Sequence, residues 1–286
     1  HHVVATERRP GGAAVNWLLV PPLAFLLLLF VVPVAGLLER SLAGSHGLTL
    51  SIYAAVLHST TDLFVLANTF RIAALVTLIC LVVGYPVAYW LSGLPGRKAN
   101  LYLVLVVVPY FTSVLVRTYA WMILLGTRGL VNRILVGLHL TRTPLALLYN
   151  DFGVLIGMVY VLLPYMILML FAVMRGIDRT LVRAAAAFGA SPWQAFRRVF
   201  LPLSAPGIAG GCLLVFVIAL GYFITPSLMG GPHQTMIAML IATDVNQLLN
   251  WGLASALGVV LLVATLLGLY LYDRLLGLQT LVAGRR

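Results

Sequence analysis

Six long stretches of the chain contain no Asp, Glu, Lys or Arg. They cover 10–38, 72–96, 99–116, 152–174, 199–243 and 245–272. About 20 consecutive apolar residues are enough for a helix to cross the hydrocarbon core of a bilayer. The stretches are continuously apolar, without the alternation in units of about ten residues that is typical of membrane strands. The pattern therefore predicts an all-α polytopic membrane protein with six transmembrane helices.

The apolar stretches place the membrane spans and the loops between them. The six spans are predicted at about 17–38, 66–92, 100–125, 152–174, 205–228 and 252–273. Two connecting segments, 39–64 and 126–150, are each predicted to contain a short helix at the outer membrane surface, and a further outer segment lies near 234–250. The domain organisation that follows is an N-terminal segment (1–16), a transmembrane domain (17–276) that contains an inner loop (175–203), and a C-terminal tail (277–286).

The composition supports a membrane protein. Of the 286 residues, 62% are apolar and only 9% are charged, whereas an average soluble domain has about 25% charged residues. A soluble domain of this size needs far more polar groups to cover its surface. An ordinary cytosolic or secreted globular protein is therefore excluded.

The formal net charge of +11 is distributed unevenly between the two sides of the membrane. If the spans alternate, twelve basic residues fall on one side: Arg8, Arg9, Arg97, Lys98, Arg175, Arg179, Arg183, Arg197, Arg198, Arg274, Arg285 and Arg286. Four fall on the other: Arg40, Arg128, Arg133 and Arg142. Loops rich in Lys and Arg stay in the cytoplasm, so both termini are predicted to be cytoplasmic. The positive charge then reflects topology and attraction to anionic lipid, and no nucleic-acid partner is predicted.

Groups that would catalyse a reaction on their own are scarce. Cys80 and Cys212 lie inside apolar stretches, where small packing residues are expected, and no metal site is predicted. The only lysine, Lys98, follows an arginine, so the chain has no phosphate-binding Gly-Lys-Ser/Thr loop. The seven acidic residues are scattered, whereas a metal-dependent membrane enzyme needs convergent acids or histidines. A membrane enzyme is therefore disfavoured.

The loop 175–203 has a strong local pattern. Ala184 to Ala187 favour a helix, and Gly189 is suited to end it because glycine adopts a left-handed backbone at low energetic cost. Ser191 is predicted to cap a second helix, with Pro192 at its first position.

The second helix of this loop is predicted to carry an aromatic face. Trp193, Phe196 and Phe200 are spaced at i, i+3 and i+7, which places them on one side of a helix. Pro202 is predicted to end that helix. Two short helices on either side of a Gly-Ala-Ser hinge would then project into the cytoplasm. From composition alone, an amphipathic loop that rests on lipid headgroups fits equally well.

The order of residues in this loop resembles the coupling motif of type I ATP-binding-cassette (ABC) importer permeases. That motif is Glu-Ala-Ala, three residues, Gly, nine residues, an aliphatic residue, any residue and Leu-Pro. The matching residues are Ala184, Ala185, Gly189, Val199, Leu201 and Pro202. The chain departs from the motif at Arg183, where the family has Glu, and this changes the charge that helps to hold the ATPase subunit. We call 175–203 the coupling loop.

Other segments are similar to spermidine/putrescine-type permeases. They are 116–121, 147–150, 157–164 and 228–232, and the resemblance extends over about 65–275. It implies a type I importer (MetI-like) permease fold with six transmembrane helices in a bacterial cytoplasmic membrane. It also implies four partners: a second related permease in a heterodimer, two ABC ATPase subunits and an extracytoplasmic substrate-binding protein. ATP and Mg²⁺ would be bound by the ATPase subunits, with no cofactor in this chain.

The resemblance assigns the coupling role to a set of residues in the loop. They are Arg183, Ala184, Ala185, Gly189, Ser191, Pro192, Trp193, Phe196, Leu201 and Pro202. Large aromatic side chains often dominate the energy of an interface. Trp193 and Phe196 are therefore the expected apolar anchors for the ATPase, and Arg197 and Arg198 either meet acidic residues of the ATPase or only mark the inner side.

Polar and aromatic residues within the spans are candidates for the substrate pathway. They are Tyr110, Thr112, Arg117, Tyr119, Tyr160, Tyr165, Tyr222, Thr225 and Asp244. Aromatic faces hold ammonium groups by cation–π contact. A permanent cation within a span is unsuited to bind a polyamine directly, so Arg117 is expected to have a structural or gating role.

The substrate and two other mechanisms stay open at this point. Between Asp178 and Asp244 the chain has no acidic residue, although polyamine permeases of this type often carry carboxylates in the fifth span. A polyamine is the first expectation. The alternatives are a less charged amine, an amino-acid derivative such as 4-aminobutyrate, or another small organic ion. A secondary transporter or channel would leave the coupling motif unexplained.

Overall fold

The computed structural model describes residues 12–44 and 47–276, and they are predominantly helical. The α-helices are α1 (Gly12–Leu42), α2 (Ser51–His58), α3 (Thr60–Ser92), α4 (Gly96–Val107), α5 (Val114–Leu125), α6 (Leu130–Gly137), α7 (Asp151–Arg175), α8 (Arg179–Ala187), α9 (Pro192–Ala195), α10 (Leu201–Leu220), α11 (Ile224–Met229), α12 (Ile237–Asn246) and α13 (Trp251–Leu276). Two 3₁₀ turns cover Val108–Phe111 and Pro232–Gln234, and a π-helical turn covers Phe196–Phe200. Two short antiparallel strands, β1 (Ala43–Gly44) and β2 (Gly47–Leu48), follow α1.

Six helical stretches of the described residues are long and apolar enough to cross a membrane. They are Val20–Leu42, Thr60–Ser92, Val114–Gly137, Asp151–Arg175, Pro192–Leu220 and Trp251–Tyr270. The prediction of six spans is therefore confirmed. Short helices lie within both 39–64 and 126–150, as α2 and α6. However, α6 forms the end of the apolar stretch Val114–Gly137, so the third stretch lies later in the chain than the predicted span 100–125. The predicted tail 277–286, and residues 1–11 of the predicted N-terminal segment, lie outside the described residues.

The core of the bundle lies where α3, α7 and α10 pack together. Met158, Leu162 and Met166 of α7 are fully buried against Val76 of α3 and neighbouring residues. Gly211 lets α10 approach α7 closely, because a Cβ atom there would lie 2.8 Å from the sulfur of Met166. Small residues permit such close approach of helices in membranes. The three helices thus form the closely packed centre between the loops at both ends.

Helix α7 connects the two ends of this bundle. Its 25 residues extend over about 37 Å. Its first residue, Asp151, contacts Gln234, and its last residue, Arg175, lies at the start of the coupling loop. We call the end that carries 230–237 the far end and the end that carries the coupling loop the loop end.

The predicted third span is broken in its middle. The sequence pattern predicted one helix over about 100–125, but α4 ends at Val107 and α5 begins only at Val114. Pro109 has no N–H, so one α-helical hydrogen bond is lost at this position. The hydroxyl of Thr112 donates to the carbonyl of Pro109 over 2.6 Å, which satisfies one of the backbone groups that the break sets free.

The prediction that Pro202 ends the second loop helix is wrong. Helix α9 continues through the π-helical turn into α10, and Pro202 lies in the first turn of α10. The N–H of Leu201 donates to the carbonyl of Phe196, five residues earlier. This wider register just before Pro202 accommodates the proline without ending the helix.

The predicted fifth span, 205–228, is also interrupted. Helix α10 ends at Leu220 and α11 begins at Ile224. In a continuous helix the ring of Pro226 would clash with the carbonyl of Tyr222, four residues earlier. The break at 221–223 places Pro226 in the first turn of α11, where a proline is tolerated.

Candidate functional site

The first helix of the coupling loop is held by local contacts at both ends. The carboxylate of Asp178 accepts from the N–H of Thr180 over 2.9 Å and caps the start of α8. At the other end Gly189 has a φ of +87°. Its N–H donates to Ala186 O, and the next N–H, of Ala190, donates to Ala185 O. The predicted left-handed glycine is confirmed.

The second helix begins with the predicted Ser191–Pro192 start. The N–H of Gln194 donates to Ser191 Oγ over 3.3 Å, and the N–H of Ser191 donates to Gln194 Oε1 over 2.9 Å. This reciprocal pair is a capping box, which satisfies two backbone donors at a helix start. The hinge between α8 and α9 therefore has a defined geometry on both sides.

The aromatic side chains of α9 and the π-helical turn form a row, and its members differ in what they contact. Trp193 stacks on Phe196 with ring centroids 5.6 Å apart, and Phe196 stacks on Phe200 at 6.2 Å. The ring edges of Phe196 and Phe200 meet Tyr89 of α3 at 5.6 and 4.8 Å. Of the two expected anchors, Phe196 packs onto the bundle, whereas Trp193 is 66% exposed.

Phe188 is a candidate that the sequence analysis missed. It follows Ala187, the last residue of α8, and its side chain is 93% exposed. Beside it a groove of about 350 Å³ lies between α8 and α9. Its lining residues are Ala185, Phe188, Gly189, Ala190, Gln194, Ala195, Arg198 and Val199. The signal that could have indicated it is a large apolar residue directly before the hinge glycine.

The five arginines of the coupling loop divide into two groups. Arg175 donates to the carbonyls of Leu94 (2.6 Å) and Ser92 (3.3 Å). Arg179 donates to Ser92 Oγ over 2.9 Å and lies over the ring of Tyr89. These two residues tie the loop to the turn between α3 and α4.

The second group of loop arginines extends away from the bundle. Its members, Arg183, Arg197 and Arg198, are exposed and form no ion pair with the described residues. Of the other motif residues, Ala184 is exposed on α8, and Leu201 and Pro202 lie in the first turn of α10.

Several pathway candidates converge beside the break in the third span. The hydroxyl of Tyr110 donates to the carbonyl of Val161, and its ring meets the ring of Tyr165 edge-on, with centroids 5.0 Å apart. The guanidinium carbon of Arg117 lies 5.0 Å from the Tyr110 ring centroid. The Nε atom of Arg117 is buried without a hydrogen-bond partner among the described residues.

The break in the fifth span contributes a further aromatic residue. Tyr222 lies in this break, and it packs against the same core as Tyr165. Irregular backbone within a membrane is tolerated where it lines a cavity or is buried in protein, and broken helices often form transport sites. The two broken spans are therefore the best candidates for a pathway lining.

The other pathway candidates make contacts of their own. Thr225 is fully buried, and its hydroxyl lies 3.4 Å from that of Thr118. Tyr160 meets Trp121 edge-on at 5.5 Å. The remaining three differ in their surroundings: Thr112 is bound to Pro109, Tyr119 is exposed, and Asp244 is buried in α12.

The far end contains a polar cluster with no counterpart in the predicted site. Asp151 Oδ2 pairs with Arg71 Nη2 at 2.9 Å, and Asp151 Oδ1 accepts from Gln234 Nε2 at 2.7 Å. Asn68 donates to the carbonyls of His233 and Thr235. Opposite charges near the same end of the second and fourth spans were the signal that could have indicated this pair. A group of three or more metal-ligating residues is absent from the described ranges.

Comparison with known proteins assigns the chain to a family. Residues 14–278 match the family model described as "Binding-protein-dependent transport system inner membrane component". The chain is 38% identical over 210 residues to the spermidine/putrescine transport system permease protein PotB of Escherichia coli (strain K12), which is 73% of this chain and 76% of that protein. It is 33% identical over 257 residues to PotB of Haemophilus influenzae, covering 88% of this chain and 90% of that protein.

A solved structure supports the same fold. The crystal structure of a bacterial alginate ABC transporter, in complex with its alginate pentasaccharide-bound periplasmic protein, contains a chain that matches with a TM-score of 0.71. The match covers 91% of this chain and 93% of that chain at 19% identity. With six apolar spans and the motif-bearing loop, the protein therefore belongs to the family of binding-protein-dependent transport system inner membrane components, as a multi-pass permease subunit of an ABC importer.

Proposed function

We propose that this chain forms half of the translocation pathway of an ATP-driven polyamine importer. A second, related permease forms the other half, two ATPase subunits supply energy, and an extracytoplasmic binding protein delivers the substrate. The substrate class is supported by the names of the PotB relatives, which are 38% and 33% identical. The chain is not catalytic alone, because ATP and Mg²⁺ bind to the ATPase subunits.

The geometry of the coupling loop carries the proposed mechanism. Two helices with defined caps meet at a left-handed glycine, and Phe188 and Trp193 project from them. A short helix that inserts into a groove of its partner is a common mode of recognition. Closure of the ATPase dimer on ATP would draw the two coupling loops together and move the spans from an inward-facing to an outward-facing arrangement.

The proposed mechanism sets the orientation of the bundle. The coupling loop faces the cytoplasm, as the excess of basic residues on its side favours, so both termini are also cytoplasmic. The far end then faces the binding protein. Substrate released there enters between the two permeases, next to the broken third and fifth spans.

Each candidate in the cluster beside the breaks has a distinct role. The faces of Tyr165 and Tyr222 hold the ammonium groups of the substrate, whereas the ring of Tyr110 already has the guanidinium of Arg117 over it. Arg117 repels a cation, so we assign it a gating or structural role. Carboxylates that neutralise a polyamine come from the second permease, because this chain has none between Asp178 and Asp244.

A less charged amine or an amino-acid derivative is the second candidate substrate. One observation favours it: the buried Nε of Arg117 has no hydrogen-bond partner among the described residues. An unpaired buried donor is energetically costly. A substrate carboxylate, as in 4-aminobutyrate, would satisfy it.

The experiment that separates these substrates is an ATPase assay of the co-expressed complex in lipid nanodiscs. The binding protein is added together with putrescine, spermidine, 4-aminobutyrate, choline or an inorganic anion. Stimulation by the two polyamines alone supports the first proposal, and stimulation by 4-aminobutyrate alone replaces it with the second. If an ATPase subunit never co-purifies with the permease, the ATP-driven mechanism is wrong.

A further inference from the structure

A groove of about 430 Å³ lies beside the first span, where α1, α12 and α13 meet. It is at the far end of the bundle, because α12 begins at Ile237, in the segment that defines that end. Apart from Arg40 and Ser255, its lining side chains are apolar or aromatic, and they include Val32, Pro33, Gly36, Leu37, Ile241 and Val245. We call it the α1 groove.

The mouth of the α1 groove lies at the membrane surface. The apolar stretch Val20–Leu42 ends just after Arg40, and the stretch Trp251–Tyr270 begins at Trp251. The guanidinium carbon of Arg40 lies 5.5 Å from the centroid of the Trp251 ring. Tryptophan is enriched where a membrane meets water, and an arginine near the end of a span extends its charge to that interface. These two residues therefore place the mouth at the level of the lipid headgroups.

From this mouth the α1 groove extends into the hydrocarbon region. Val32 lies about 12 Å along the helix axis from Arg40. Gly36, halfway between them, has nothing within 4 Å of its Cβ position, whereas a Cβ atom at Gly258 of α13 would lie 3.7 Å from Leu37 Cδ1. Helix α1 thus packs on α13 along one side and leaves open space on the other. Atoms that line an unfilled space lose dispersion contacts, so an apolar occupant is favoured.

Arg40 supplies a cation at the mouth of the groove. Its side chain is exposed and forms no ion pair with the described residues. Adjacent residues of a helix do not face each other, so Glu39 points to another side. A guanidinium group has five N–H donors and binds phosphate through two of them at once. The charge of the mouth is therefore complementary to the phosphate group that every phospholipid carries at this depth.

We propose that the α1 groove is a phospholipid site, in which one acyl chain fills the groove and the phosphate binds Arg40. The lipid then joins the first span to α12 and α13. A protein helix fits less well, because a helix about 10 Å across occupies about 900 Å³ over 12 Å of its length, roughly twice the volume of the groove. Lipid is also at hand, since residues 20–32 of α1 are exposed. The inference does not depend on the proposed transport mechanism.

The test is photolabelling of the full-length chain in dodecylmaltoside, a detergent without phosphate. The probe is a phosphatidylglycerol with a diazirine on one acyl chain. After illumination, peptide mass spectrometry measures the label on 241–245 of α12, which contributes to the groove, and on 20–30 of α1, which is exposed and serves as the reference for unspecific contact. The competitors are unlabelled phosphatidylglycerol and dioleoylglycerol, which has the same type of chains without the phosphate.

Four variants separate the two parts of the site. Arg40→Gln removes the charge, and Arg40→Lys keeps it. Gly36→Phe fills the groove, since its side chain enters open space. The matched controls lie outside the groove: Arg142→Gln changes another exposed arginine, and Gly137→Phe changes another glycine with nothing within 4 Å of its Cβ position. The Tm of each variant is measured, and if Gly36→Phe does not fold, Arg40→Gln decides the question.

We expect the wild-type label on 241–245 to saturate as probe is added, whereas the label on 20–30 rises in proportion to the probe. Arg40→Gln should need about fivefold more probe for half-saturation, because a basic residue at the membrane surface contributes about that factor to lipid binding. Arg40→Lys should restore most of the affinity, and Gly36→Phe should abolish the saturable label. Both controls should match the wild type, and dioleoylglycerol should compete about fivefold less than phosphatidylglycerol.

Three outcomes would overturn the inference. Unchanged half-saturation in Arg40→Gln, or equal competition by dioleoylglycerol, means that Arg40 holds no phosphate. A saturable label that survives in Gly36→Phe means that the acyl chain lies elsewhere. If 241–245 stays unlabelled in the wild type while 20–30 is labelled, lipid does not enter the groove, and a second copy of the chain or another protein covers it.

Discussion

The two ends of the bundle differ in how their polar side chains are bonded. At the far end, Asp151 is paired with Arg71 and Gln234, and Asn68 binds two carbonyls of the segment 230–237. At the loop end, Arg183, Arg197 and Arg198 are exposed and have no ion pair among the described residues. Buried or bridging polar groups need partners, so the far end holds its own loops together. The loop end leaves Arg183 and the aromatic side chains of Phe188 and Trp193 exposed.

The largest expected effect comes from breaking the hinge at the loop end. Gly189 has a φ of +87° but open space around its Cβ position, so substitution strains only the backbone. A β-branched residue in this conformation costs about 1–2 kcal/mol or more. We expect Gly189→Val to abolish most substrate uptake by the reconstituted complex while the protein stays inserted in the membrane.

The control for this prediction is Gly189→Asn, because asparagine tolerates the left-handed conformation. It should retain most of the uptake at equal expression. Normal uptake by Gly189→Val would contradict the assignment of this loop to coupling.

The next largest effect is expected from crowding the far end. A Cβ atom at Gly157 of α7 would lie 2.5 Å from Thr225 Cγ2 and 2.7 Å from Met229 Sδ of α11. Overpacking of this kind costs about 1–3 kcal/mol. We expect Gly157→Ala to lower the Tm of the purified protein, with ATPase retention unchanged. Gly36→Ala, where nothing lies within 4 Å, is the matched control and should not lower the Tm.

A smaller effect is expected from the ion pair of the far end. The side chains of Arg71 and Asp151 are 51% and 41% exposed, and exposed pairs contribute about 0.2–1 kcal/mol. A double-mutant cycle with Arg71→Gln and Asp151→Asn, read by thermal unfolding, measures this coupling energy. If the two single effects simply add, the pair does not stabilise the far end.

The smallest effect concerns Asp244, a buried acid near the far end. Burial raises the pKa of its carboxyl group, and the nearby Asp62 carboxylate raises it further. A group whose pKa is raised by folding contributes stability that is complete below its unfolded pKa and is lost as the pH rises through the folded pKa. Asp244→Asn should therefore raise the Tm at about pH 7.5 and make little difference at about pH 4. An unchanged or lower Tm at the higher pH would mean that the ionised carboxylate has a stabilising partner.

Local features of the coupling loop could be predicted because each depends on a few neighbouring residues. The left-handed Gly189 and the cap at Ser191 are confirmed for this reason. The end of the helix at Pro202 was predicted by the same local logic and is wrong, because packing of Phe196 and Phe200 on Tyr89 accompanies a π-helical turn that carries the helix past the proline.

The site residues were predicted less completely than the fold. The cluster of Tyr110, Tyr165 and Arg117 depends on the break in the third span. The hydropathy of the sequence predicts a continuous span there. The exposure of Phe188 and the burial of Thr225 depend on which faces of their helices are covered. A single sequence contains the residue types but not these contacts, so it could not indicate which of the candidates lie together.

The sequence by itself determined the membrane class, the number of spans, the hinge of the coupling loop and the family. These follow from apolar length and from short motifs, which act locally. Only the tertiary structure decided where the third and fifth spans break, that Asp151 joins Arg71 to Gln234, and that Arg183 is left exposed while Arg175 and Arg179 are bound. Each of these depends on contacts between residues far apart in the chain, and packing of the whole bundle determines those contacts.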